Sequence, residues 1–121
     1  MKNIAVIVTT ALAPLAFVNA AHADLALAAG KGCTACHQVD KKVLGPAYSA
    51  VAACYANKDA AKFAANKIAL AKHIKAGVAG NWGPIPMPGH PALTDAELSK
   101  LTDWVMALPD GICPPEFKGK P

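Results

Sequence analysis

From Ile4 to Val18 the chain is apolar except for Thr9, Thr10 and Pro14, and it then passes through Asn19-Ala20-Ala21-His22-Ala23 into a different pattern. Lys2 precedes the run. A basic start, a short apolar stretch and an Ala-x-Ala ending describe a secretory signal peptide, with cleavage expected after Ala23. A membrane-spanning helix is the alternative reading, but it needs about 20 apolar residues, and this run is shorter and holds a proline. The expected organisation is therefore a signal peptide over residues 1–23 and one domain over 24–121, with 110–121 as a C-terminal tail.

Beyond Asp24 the apolar positions recur at helical spacing. Asp24 is placed to cap a short helix through Leu25, Leu27, Ala28 and Ala29. Leu44-Gly45-Pro46 is a turn, and Pro46 can open a second helix from Ala47 to about Tyr55. A third is expected from about Asp59 to Ala76, ended by Gly77, with Phe63, Ile68, Ala71 and Ile74 on its apolar side and Lys62, Lys72 and Lys75 on the other. Between Gly77 and Pro91 four prolines and four glycines exclude a helix or a central strand, and a loop this long in a small domain is usually functional. Thr94-Asp95-Ala96-Glu97 then reads as a capping box with Leu93 and Leu98 as its hydrophobic staple. The helix it starts should bury Leu98, Leu101, Val105 and Leu108 before Pro109 stops it. No strand pattern and no internal repeat is visible, so the fold class is all-α.

Composition changes this picture little. A chain of 98 residues from Asp24 carries 11 lysines, no arginine and eight acids, a charge of +3 before any cofactor. That mild excess suits weak steering toward an acidic partner and gives no reason to invoke nucleic acid. A domain of this size is marginal by core burial alone, so something further should hold it together.

Cys33-Thr34-Ala35-Cys36-His37 supplies a candidate. C-x-x-C-H is the attachment signature of c-type haem: a two-residue spacer lets both thiols reach the two vinyl groups, and the adjoining histidine is carried to the iron. A thioredoxin-like dithiol expects a βαβ context that this chain lacks, a zinc site lacks a second pair, and a plain Cys33–Cys36 disulfide leaves His37 unexplained. For the second axial ligand the chain offers Met87, Met106, His73 and His90. Met106 falls in the apolar run of the last helix, and His73 falls among lysines and is expected to face solvent. Met87 lies in the stiff Gly83-Pro84-Ile85-Pro86-Met87-Pro88-Gly89 loop, where prolines hold a weak thioether ligand with little entropy left to lose. His/Met ligation closes the iron and suits electron transfer.

Lys31-Gly32-Cys33-x-x-Cys36-His37, Leu44-Gly45-Pro46-Ala47-Tyr48 and Trp82-Gly83-Pro84-Ile85-Pro86-Met87-Pro88 together resemble the small bacterial class I cytochromes c of the c-551 type, over nearly all of Asp24 to Leu108. The resemblance implies a four-helix fold with crossed terminal helices around one covalent haem c, in a soluble, monomeric periplasmic shuttle rather than an enzyme. It implies that Pro46 offers its carbonyl to the His37 Nδ1–H. It also implies that Trp82 hydrogen-bonds a haem propionate, plain core packing being the alternative for that residue. The implied partners are a membrane cytochrome complex as donor and a nitrite reductase, peroxidase or terminal oxidase as acceptor, with no stable membrane insertion after cleavage.

Two features depart from the pattern. Gly89-His90 stands where many relatives carry an asparagine near the methionine sulfur; His90 is expected to face solvent, with tuning of the potential or replacement of Met87 as alternatives. Cys54 and Cys113 remain after haem attachment, and an exported chain favours a disulfide between them over two free thiols. The competing functions are a sensor or peroxidase-like enzyme with a labile Met87, and a fixed electron-relay subunit of a larger dehydrogenase. In the shuttle reading, Lys31, Lys41 and Lys42 ring the contact surface.

Overall fold

A computed structural model describes residues 20–119. Nearly all of the expected signal peptide lies outside the described residues. Four helices make the body: α1 Ala20–Gly30, α2 Tyr48–Tyr55, α3 Ala60–Ala76 and α4 Asp95–Met106, with a 3₁₀ turn at Cys33–Ala35. Among the described residues no helix is long and apolar enough to cross a membrane.

Helix α4 is the packing hub and touches the other three. It starts where the capping box requires: the Thr94 side chain accepts from the Glu97 N–H, and Glu97 accepts from the Thr94 N–H at 3.0 Å. Leu93 and Leu98, the staple pair, are both buried. The helix buries Leu98, Leu101, Trp104 and Val105. Thr102 is also buried, with its hydroxyl donating to the Leu98 carbonyl at 2.9 Å. Leu108 lies just past the helix and is only half-buried.

Two expected helices need correction. Asp24 sits inside helix α1, which is described from Ala20, rather than at its head. In the uncleaved chain Ala20, Ala21 and Ala23 are strong helix formers and carry the helix upstream. Leu25, Leu27 and Ala28 of this helix pack against the core. Helix α3 has the expected ends: Asp59 accepts from the Lys62 N–H at 2.9 Å, and the Gly77 N–H donates to the His73 carbonyl. Ala71 and Ile74 pack against the core as expected, but Ile68 does not. Ile68 is 71% exposed, while Asn66 and Leu70 are buried. Asn66 tolerates burial because its amide donates to the Tyr55 carbonyl at 2.9 Å, which removes the cost of an unmet polar group.

The 77–91 segment is not wholly irregular. Strands β1 Gly77–Val78 and β2 Met87–Pro88 pair antiparallel, Val78 opposite Met87. A ribbon of two strands is all edge, so Pro88 is admitted where a central strand would reject it. Cys54 on α2 and Cys113 in the tail are joined by a disulfide closing 59 residues. In the chain-entropy picture such a closure is worth about 4 kcal/mol.

Candidate cofactor site

The two thiols of the C-x-x-C-H segment are brought together by the 3₁₀ turn, in which the N–H groups of Cys36 and His37 both donate to the Cys33 carbonyl at 3.1 Å. Both cysteines are free and half-buried. Burial pushes the Cys33 thiol above its ordinary value, a backbone hydrogen bond partly opposing this and Cys36 adding to it. A reactive dithiol of the thioredoxin kind depends on a lowered thiol pKa, the opposite shift.

His37 is fixed from three directions. Its Nδ1–H donates to the Pro46 carbonyl at 2.7 Å, which commits that nitrogen and leaves Nε2 outside this bond. Its ring stacks on Tyr48, with centroids 5.3 Å apart and planes 24° from parallel. The third side is Gly45: a Cβ there would come within 2.3 Å of the imidazole Cε1, so only glycine lets the ring lie where it does. Tyr48 is in turn held edge-on by Trp104 at 5.0 Å.

Cys33, Cys36, His37 and Met87 all line one cavity of about 380 Å³. Met87 reaches it from β2 with Trp82 and Ile85 of the preceding loop. The interior wall is largely apolar, from Val51, Leu70, Ile74, Leu101 and Val105. The Tyr48 hydroxyl is buried and has no hydrogen-bond partner among the described residues. Burial raises its pKa well above the ordinary phenol value, the two neighbouring thiols pushing the same way. A buried hydroxyl left alone is costly, so the cavity is shaped for a large apolar group that also brings a polar contact. Two thiols, an imidazole and a thioether around an apolar slot suit a covalently held, six-coordinate haem. Among the described residues no three His, Cys, Asp or Glu side chains cluster as a metal site.

The other candidates fall as follows. Trp82 is half-buried on the cavity wall with its ring packed against Phe117, centroids 4.4 Å apart. Met106 is half-buried against the core on α4. His73 does not face solvent as expected: it lines the cavity and shares a hydrogen bond between its Nδ1 and the Tyr55 hydroxyl, 2.9 Å apart. Burial lowers its pKa, with Lys72 adding to the effect. His90 too is half-buried at the cavity wall, drawn in by its N–H donating to the Ile74 carbonyl at 3.0 Å. Two of the three lysines expected to ring the contact surface are paired, Lys31 with Glu97 at 2.7 Å and Lys42 with Glu116 at 3.3 Å.

Four helices wrapped round a slot of this donor set define a small all-α haem protein. The chain belongs to the cytochrome c family, whose pattern it matches over residues 25–109. It is 45% identical over 101 residues to cytochrome c-552 of Nitrosomonas europaea, covering 83% of this chain and 92% of that one. Cytochrome c-552 of Hydrogenobacter thermophilus is 39% identical over 109 residues, covering 89% of this chain and 99% of the other. The crystal structure of wild-type Nitrosomonas europaea cytochrome c552 superposes with a TM-score of 0.61 at 45% identity, over 69% of this chain and 98% of that chain. The protein is thus a small class I cytochrome c carrying one covalent haem c, and it moves electrons between redox partners rather than catalysing a reaction of its own.

Proposed function

We propose that Cys33 and Cys36 hold the haem as thioethers, that His37 and Met87 are its axial ligands, and that the protein shuttles single electrons in the periplasm. The observation that carries the assignment is the convergence of all four side chains on one cavity, with His37 Nδ1 already committed to Pro46. When bound, the haem supplies a one-electron iron couple. The chain's own residues prepare the site for it. Pro46 makes the imidazole a better donor and fixes its plane. The Val78–Met87 pairing holds the thioether on the opposite strand of a short, proline-flanked ribbon. Tyr48, Tyr55, Trp82 and Trp104 are the polar-tipped aromatics at the cavity, and Trp82 is the candidate donor to a propionate.

Val43, Leu44 and Ile85 are exposed, and Leu44 and Ile85 also line the cavity, so its mouth is rimmed by apolar surface. Such a small apolar contact suits the brief, weak encounters of redox proteins. Partners of the expected kind are a membrane cytochrome complex as donor and a nitrite reductase, peroxidase or terminal oxidase as acceptor. Export with cleavage after Ala23 would leave Leu25, Leu27 and Ala28, which pack against the core, on the retained side of that bond.

Intact mass of the protein expressed in a host that exports and matures c-type cytochromes tests the assignment. The expected species starts at Asp24 and carries one haem that denaturation does not remove. Cys33→Ala with Cys36→Ala should abolish covalent attachment; retention of covalent haem in that double variant contradicts the reading.

A further inference from the structure

The family pattern ends at residue 109, yet the chain continues and is tied down at several points. Gly111 runs so close to α2 that a Cβ there would come within 1.8 Å of the Ser49 carbonyl oxygen. Cys113 is bonded to Cys54 of α2. The tail then turns, the Phe117 N–H donating to the Pro114 carbonyl at 3.0 Å, and the Lys118 N–H donates to the Asn81 carbonyl at 2.9 Å. Glu116 is paired with Lys42. The turn lays the Phe117 ring on Trp82 at 4.4 Å and against Tyr55 at 5.8 Å. Asn81, Trp82 and Tyr55 are all cavity-lining residues, and Phe117 packs behind them. A disulfide serving only as a staple needs none of the residues after Cys113.

We propose that residues 110–119 form a strap over the Trp82 edge of the haem cavity, in which Phe117 excludes water from that edge and so raises the reduction potential, and the Cys54–Cys113 disulfide is a latch that a dithiol can open. Phe117 acts as a positioning residue, through Trp82. The physical basis is that water near the haem favours the more highly charged oxidised state, so an apolar cover favours reduction. Cys113 is an exposed residue, and its side of the disulfide is the one a thiolate would approach. In the opening step a dithiol reductant forms its own disulfide and passes two electrons and two protons to the sulfurs of Cys54 and Cys113. Thioether bonds at Cys33 and Cys36 contain no S–S bond and are untouched. The proposal rests on haem occupying this cavity, which the mass and spectrum of the untreated protein establish separately.

The test uses the holoprotein, untreated or opened with dithiothreitol and capped with iodoacetamide, alongside Phe117→Ala with its disulfide intact. Two quantities are read: the midpoint potential by mediated titration, and hydrogen exchange at the Lys118 amide. Opening should speed exchange at Lys118 at least tenfold and move the midpoint to lower potential. Phe117→Ala should move the midpoint the same way with the latch closed. A Lys118 amide that stays protected after capping overturns the latch. An unchanged midpoint, either after release of that amide or in Phe117→Ala, overturns the shielding role.

Discussion

The imidazole of His37 sits in a site with no slack: a carbonyl 2.7 Å from one nitrogen, a phenol ring across one face and a bare glycine against its edge. Gly45→Ala puts a methyl group inside the imidazole. Overpacking of this kind costs roughly 1–3 kcal/mol, and here it also turns the ring away from Pro46. The variant should unfold at lower denaturant and show weakened iron coordination in its absorption spectrum. His73 makes a different claim. Its pKa is lowered in the fold by burial and by Lys72, so the unfolded chain binds the proton more readily. The stability it secures is present above the ordinary histidine value of about 6.5 and is lost as pH falls through the lower folded value. Denaturant midpoints measured from pH 7.5 to 5 should therefore fall less steeply in His73→Asn than in the parent. That Cys33, Cys36, His37 and Met87 belong to one site was legible in the chain, from local spacing for the first three and from a stiff, proline-rich loop for the fourth, and all four line one cavity. His73 and Asn66 were not. Both are polar on a lysine-rich helix, and what draws them inward is Tyr55 of a different helix, its hydroxyl for one and its carbonyl for the other.

At the scale of elements, capping decides where helices start. Thr94 and Glu97 satisfy each other's backbone at the head of α4, the helix that contacts α1, α2 and α3. Thr94→Ala should cost about 1 kcal/mol of global stability, read from denaturant unfolding with an unchanged slope. Boundaries written in caps and glycines were readable, as at Asp59, Gly77 and Thr94. The place of Asp24 was not, since it lies within α1 with the helix formers Ala20, Ala21 and Ala23 before it. The β1–β2 ribbon was also hidden. Two residue pairs with a proline in one strand leave no alternation to detect, and the pairing comes from the loop folding back on the end of α3. The inward side of α3 was misread at Ile68, because hydropathy ranks isoleucine above asparagine and takes no account of a waiting carbonyl.

The whole molecule presents an apolar rim at the cavity mouth with only a modest positive surround. Lys31 and Lys42 are neutralised by Glu97 and Glu116, while Lys41 is exposed three residues before Leu44, which lines the cavity. Steering by charge should accordingly be weak. Lys41→Glu should slow electron exchange with an acidic redox protein several-fold at low ionic strength, in stopped-flow measurements, with the difference closing at high salt. Phe117 and its contact with Trp82 had a signal in the sequence only as an aromatic residue shortly after a cysteine. Its place depends on the disulfide and the turn that follows.

Absorption spectra of the oxidised and reduced holoprotein address the central claim most directly. A far-red band in the oxidised form, sharp low-spin bands in the reduced form and no change on adding carbon monoxide are the predicted result, with the far-red band lost and carbon monoxide bound in Met87→Ala. A parent protein that lacks the far-red band and binds carbon monoxide when reduced would contradict the account.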